Sequence, residues 1–210
     1  MSTPASAPRS AKGVRTRARL LDAAKAVFEE SGFLEARISD IAEKAELSHG
    51  TFYHYFDSKE QIFREVAETH EALLTARPEQ PPAADLSEFD RILEANRLYL
   101  VRYRENGRIM GVIEEVSRYD AHVNEVRTAR QKHFAERAEK HLRGLQKAGL
   151  ADKDVDAEIA AVALGSMVAR FAELWLVEDW AAFDFDHAVH QLTLLWARSI
   201  GVEVPAKRRR

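Results

Sequence analysis

Between Ser48 and Lys59 the sequence crowds together side chains that hydrogen-bond anions and base edges: Ser48, His49, Thr51, Tyr53, His54, Tyr55 and Lys59. Hydroxyls, imidazoles and an ammonium are the groups that meet phosphate oxygens and the edges of paired bases. Gly50 has no side chain and lets backbone approach a neighbouring surface closely. Lys59 falls at a predicted helix start, where its charge and the free amides suit a phosphate.

Such groups need a rigid support. Phe52 and Phe56 are four apart and point the same way, into a small core. Ser48 is placed to cap the helix that carries them. Just upstream, Ile38, Ile41, Ala42 and Ala45 form one apolar face of a short helix, and Leu47 plugs the corner. Two short helices joined by a tight corner, the second dense in hydrogen-bonding groups, make a helix-turn-helix.

Little else in the chain suits catalysis. His187 and His190 lie three apart, with Asp184 and Asp186 before them, but no further ligands converge in sequence and they read as surface residues. Glu114 and Glu115 adjoin Arg118 and read as helix-surface pairs. There is no cysteine, no Gly-rich phosphate loop and no Gly-x-Ser-x-Gly elbow. The expectation is a protein that is not an enzyme, with no metal and no cofactor.

Charge is distributed to match. The 210 residues carry a net charge of −3, which excludes a uniformly basic coat. Yet the first twenty residues hold Arg9, Lys12, Arg15, Arg17 and Arg19 and no acid, the long middle is acidic, and the chain ends Lys207-Arg-Arg-Arg210. A basic arm on an acidic body suits one face presented to a polyanion. No apolar run approaches the ~18 residues that span a bilayer, and no apolar stretch follows the basic N-terminus, so the expected location is the cytoplasm, away from membranes.

The expected fold is all-α. Helices are predicted over residues 14–31, 39–45, 49–56, 58–76, 86–104, 107–117, 121–147, 155–177 and 186–200, from Ala/Leu/Glu/Arg-rich composition and apolar spacing. Gly32 marks the end of the first, and Ser58 with Gln61 makes a capping box for the fourth. A proline cluster at Pro78, Pro81 and Pro82 reads as a loop. The division expected is a DNA-binding domain at 1–57, a larger helical domain at 58–206 and a basic tail at 207–210.

At Ile41-Ala42, Leu47-Ser48, Gly50-Thr51, Tyr53, Phe56 and Ser58-Lys59-Glu60 the chain resembles the tetracycline-repressor (TetR) family of bacterial transcriptional regulators. That resemblance implies base-edge contacts from Ser39, His49, Gly50, Thr51 and His54, and phosphate contacts from Arg37, Tyr53, Tyr55 and Lys59. Two positions depart from the pattern. Glu46 stands where the family's corner has glycine, at a cost of about 1 kcal/mol if φ is positive. Arg37 replaces the usual Thr or Ser cap, leaving Ser39 as the alternative cap of a helix that would start late.

In the larger domain, Tyr99, Tyr103, Ile109, Met110, Ile113, Phe134, Met167, Phe171 and Trp175 form apolar stripes at helical spacing. Such stripes serve as plain core or as the wall of a cavity. Gly107 and Gly111, with the polar tips of the tyrosines and His133, favour a cavity for an apolar ligand with one polar end. The resemblance implies a small-molecule pocket here and dimerisation through the last two helices. Leu164, Val168, Leu192, Leu195 and Trp196 are the candidate seam, though the same pattern serves an intrachain core. The reading is a homodimeric repressor released from palindromic double-stranded DNA by an apolar effector. The rivals are a helical carrier or enzyme keeping a helix-turn-helix remnant, and an architectural DNA binder without a ligand.

Overall fold

The computed structural model describes residues 10–76 and 85–205. The expectations for the basic arm up to Arg9, for the proline cluster and for the Lys207–Arg210 tail lie outside the described residues. Among the described residues there are nine α-helices and no strand: α1 (Ala11–Glu35), α2 (Ile38–Lys44), α3 (His49–Tyr53), α4 (Lys59–Thr75), α5 (Glu88–Glu105), α6 (Gly107–Val116), α7 (Ala121–Ala148), α8 (Ala157–Leu176) and α9 (Phe185–Ser199). They divide into two compact units. One comprises residues up to Glu71 with Arg108–Arg127, and the other Ala72–Gly107 with the chain from Thr128 onward.

Local chemistry sets the ends of the first unit's helices. Ser10 caps α1, its hydroxyl accepting from the Gly13 amide at 3.1 Å. Gly32 sits at φ 73° inside the assigned span of α1, so the regular helix breaks there and a short turn carries the chain to Glu35. Ser58 accepts from the Gln61 amide at 3.1 Å, while the Gln61 side chain accepts from the Asp57 amide. This is the predicted capping box with its return bond shifted one residue outward.

The unit closes on a core of Leu20, Ala24, Phe28, Ile41, Phe52, Phe56, Ile62 and Phe63, all at most 1% exposed. Phe63 meets Phe28 and Phe33 edge-on, each at 4.9 Å between centroids, a favoured aromatic geometry. Arg64 bonds Asp120 through Nε and Nη2 at 3.1 and 2.9 Å, and His122 Nε2 meets Glu68 Oε1 at 2.7 Å. Asp120 also accepts from the Val123 amide at 3.0 Å, at the start of α7. Burial pushes the Asp120 carboxyl up, but the Arg64 and backbone hydrogen bonds, with the Arg64 charge, outweigh it and hold the group below its usual range.

In the second unit Phe89 and Ile92 of α5, Leu142 and Leu145 of α7, Leu164 of α8 and Ala197 of α9 share one buried cluster with Ile200 and Val202. A buried polar pair ties α5 to α9 within this unit: Asn96 Nδ2 donates to Thr193 Oγ1 at 3.2 Å, and Thr193 in turn donates to the Val189 carbonyl at 2.9 Å. Their buried polar atoms are paired, so the bond fixes how α5 and α9 register. The sequence expectation of no long apolar run needs correction at α8. Its 20 residues are long and apolar enough to cross a membrane by length and composition. Ala157, Ala161, Leu164, Val168, Ala172 and Trp175 bury one face of it in this unit.

Candidate nucleic-acid interface

The corner between α2 and α3 is built as a Schellman turn. The Leu47 amide reaches back to the Ala42 carbonyl at 2.9 Å and the Glu46 amide to the Glu43 carbonyl at 2.8 Å. Glu46 occupies the left-handed position at φ 53°. A non-glycine residue there carries a strain of about 1 kcal/mol. The Arg19 guanidinium of α1 lies against this corner, donating to the Ala45 carbonyl and standing 3.3 Å from the Glu46 carboxylate.

From the corner, Leu47 tucks half in and Ser48 turns outward to cap α3, its Oγ accepting from the Thr51 amide at 3.1 Å. Thr51 Oγ1 lies 2.7 Å from the same Oγ. The helical turn continues past Tyr53, with the Phe56 amide bonded to the Phe52 carbonyl at 3.0 Å. Phe52 and Phe56 are fully buried beneath. Above them Ser48, His49, Gly50, Tyr53 and His54 are exposed, and Thr51 and Tyr55 half-buried. The His49 and Tyr53 rings meet edge-on at 5.2 Å, which steadies both on the outer face. A Cβ added to Gly50 would meet only Ser48 Oγ, at 3.9 Å. No contact among the described residues demands glycine at this position.

Arg37 and Ser39 are exposed at the start of α2. Arg37 is the N-cap residue and makes no side-chain cap bond. Ser39 does not cap either: it lies inside α2, and its hydroxyl donates to Asp40 Oδ1 at 3.0 Å. The helix therefore begins at Ile38 and not late, because the extended backbone of Arg37 already starts it.

Lys59 departs from the phosphate role assigned by resemblance. Its ammonium donates to the carbonyls of Phe33, Leu34 and Ala36 at 2.7, 3.0 and 2.9 Å. It also stands 4.7 Å from the Phe33 ring centre. Three donors are the full complement of an ammonium, so Lys59 buckles the end of α1 to the start of α4. The sequence signal was the right residue at a helix start. It did not show that the turn after Gly32 brings orphan carbonyls within reach.

The stripes expected to line a pocket divide between the two units. Ile109, Met110 and Ile113 are buried in the first. In the second, Tyr99 is buried, accepts a 2.9 Å bond from Arg130 Nη1 and meets Phe134 edge-on at 5.4 Å. Tyr103 is buried beside it, with ring centres 5.8 Å apart. Phe171 contacts buried Trp175 at 5.5 Å, and Met167 is half-buried. His133 is exposed and does not serve as a polar tip in the wall, whereas Arg130 and Phe134 on the same helix pack against Tyr99. Gly107 also has another explanation, since a Cβ there would come within 3.1 Å of the Leu176 carbonyl. A shallow depression of about 450 Å³ lies at Gly149–Asp152, Gly201 and Glu203, and no expected pocket residue lines it.

The candidate seam is largely core. Leu164, Val168 and Leu192 are buried within the second unit, and Trp196 packs half-buried against its cluster. Leu195 alone of the five is exposed. On α8 the exposed apolar positions are instead Ile159 and Val162, with Ala163 beside them. Among the described residues no group of three or more His, Asp and Glu could hold a metal. Asp184 caps α9 and Asp186 pairs with Arg97 at 2.6 Å.

Known proteins share both levels of this architecture. The bacterial regulatory proteins of the tetR family match the chain over residues 20–66, the segment that carries the corner and α3. The HTH-type transcriptional regulator YdgC of Bacillus subtilis is 49% identical over 55 residues, 26% of this chain and 28% of YdgC. Such amino-terminal matches cover about a third of the relatives' own lengths, 28% and 34% in the first two. The HTH-type transcriptional regulator TtgR of Pseudomonas putida is 26% identical over 77% of this chain and 80% of its own. A TetR-like transcriptional regulator from Rhodococcus sp. RHA1 superposes with a TM-score of 0.66 at 25% identity, over 92% of this chain and 98% of that one. Over residues 20–66 the chain is thus similar to the bacterial regulatory proteins of the tetR family, and its fold as a whole is similar to that of a TetR-like regulator.

Proposed function

We propose that this protein is a DNA-binding transcriptional regulator, most simply a repressor, that reads double-stranded DNA through α3. The observation that carries the reading is the row of exposed hydrogen-bonding groups at Ser48, His49, Tyr53 and His54, held over fully buried Phe52 and Phe56. Side chains on a rigid helix can reach base edges without disturbing the fold. Gly50 supports it, since its bare flank admits a close surface and no contact among the described residues explains it. Arg37 and Ser39, both exposed, and Thr51 and Tyr55, both half-buried, are assigned to the rim of this face. The function so described is not enzymatic and belongs in the cytoplasm with the DNA.

The second unit supports dimerisation and effector binding. Ile159, Val162 and Ala163 on α8 and Leu195 on α9 are apolar positions left exposed among the described residues, which a second copy would cover. Two α3 helices about 34 Å apart would then enter successive major grooves of a palindrome. Tyr99, Tyr103 and Phe134 form an aromatic wall with a polar tip where Arg130 bonds Tyr99, which suits a mainly apolar small molecule. Its binding would shift the population away from the spacing that DNA requires.

The test is selection of bound sequences from a random duplex library, followed by anisotropy titration with the selected and scrambled duplexes. A palindrome bound at least about 10³-fold more tightly than scrambled DNA supports the reading. Equal affinity for both favours the architectural binder, and no binding at all favours the carrier or enzyme.

A further inference from the structure

Glu46 places a carboxylate on the corner that leads into α3, two residues before Ser48, and its side chain is 88% exposed. A bare negative charge at that place would face the phosphates of any duplex approaching α3. Arg19 stands beside it, half exposed, with Nη2 3.3 Å from Glu46 Oε2. The same nitrogen donates to the carbonyl of Ala45, a helix-end group that no helical amide reaches. So exposed a pair adds little to stability. Its geometry has a different consequence, because one guanidinium both fixes the carbonyl of Ala45, the residue that caps the end of α2, and neutralises the residue that turns the chain towards α3.

We propose that Arg19 is a positioning residue for DNA binding: it clamps the corner between α2 and α3 and cancels the Glu46 charge that would otherwise repel the DNA backbone. The proposal rests on the reading of α3 as the DNA-contacting helix. Arg19 need not touch DNA itself. It acts through Ala45 and Glu46. Glycine at position 46 would remove both the charge and the left-handed strain, so the need for Arg19 is a need created by Glu46.

The experiment is a double-mutant cycle with Arg19→Met, Glu46→Gly and the double variant, read by anisotropy on the selected palindrome across a salt series. Far-UV circular dichroism checks that each variant is folded. Arg19→Lys is a fourth variant that keeps the charge but loses the forked reach. Arg19→Met is expected to weaken binding about tenfold, as like-charge juxtaposition at an interface does. Glu46→Gly in the Arg19→Met background is expected to recover most of that loss, and Arg19→Lys to fall between. The Arg19→Met loss is expected to shrink as salt rises and screens Glu46. A loss from Arg19→Met that the added Glu46→Gly leaves untouched overturns the proposal, as does an Arg19→Met variant that binds like the parent. A parent protein that binds no duplex sinks the DNA-binding reading itself, an outcome separate from either.

Discussion

Replacing Lys59 with Met tests whether this lysine is a structural buckle or a DNA contact. The substitution keeps the aliphatic stem over Phe33 and removes the ammonium that bonds the Phe33, Leu34 and Ala36 carbonyls. A hydrogen bond from a charged donor contributes about 1.5–3 kcal/mol net. The three do not simply add, because the bond to Leu34 is exposed and its carbonyl regains water. The two part-buried bonds, taken at the lower value, give about 3 kcal/mol. In a chain of this size that corresponds to a fall in melting temperature of about 6–12 °C. Urea unfolding followed by far-UV circular dichroism measures the change, with the slope m unchanged if only stability moves. Affinity for DNA, measured well below the transition, is expected to stay within about threefold of the parent, since surface changes away from the contact move little. A stability change under about 0.5 kcal/mol together with an equal loss of affinity for every duplex would refute the buckle and restore the phosphate role.

Phe52→Ala is expected to cost about 3–5 kcal/mol, the range for emptying a fully buried aromatic site, as read by urea unfolding. Tyr53→Phe should weaken binding to palindrome and scrambled DNA alike, by about two- to tenfold for one lost phosphate hydrogen bond. His54→Ala should instead weaken the palindrome by about 1–3 kcal/mol and leave scrambled DNA almost unchanged, as a base contact does. Val162→Asp is expected to halve the mass seen by light scattering towards the 23.8 kDa of one chain, without loss of helicity. Asp120 is held below its usual carboxylate range, so its contribution is complete above the unfolded pKa of about 3.9 and is lost as pH falls through the lower folded value. Acid unfolding of Asp120→Asn should therefore show a shallower pH dependence below pH ~4 than the parent.

The elements were legible in the sequence where a local pattern decides them. Phe52 and Phe56 at a spacing of four, Ser48 as a cap and Gly32 as a break all describe interactions within one turn, and the structure has each of them. What the sequence did not reveal depends on distant partners. Lys59 reads as a free cation until α1 folds back and presents three carbonyls to it. Leu164, Val168 and Leu192 have the same spacing whether they face another chain or their own core. Only the packing of α8 in the second unit decides for the core and leaves Ile159 and Val162 outside. Arg19 and Glu46 are 27 residues apart, and no periodicity connects them. Arg37 shows the reverse case, where a weak cap residue suggested a late helix start that the backbone alone prevented.

The division of labour within α3 has an evolutionary consequence. Phe52 holds the helix down, while His49, Gly50, Tyr53 and His54 are exposed and make few contacts inside the chain. Exposed positions of this kind usually accept new side chains within about 0.5 kcal/mol of folding stability. If α3 reads DNA as proposed, the sequence it selects can therefore drift by single substitutions while the fold remains untouched, and a duplicated copy could acquire new target sequences quickly. Library randomisation at 49, 50, 53 and 54 on an otherwise constant chain would retrace that route, because foldedness is not filtered at the positions being varied.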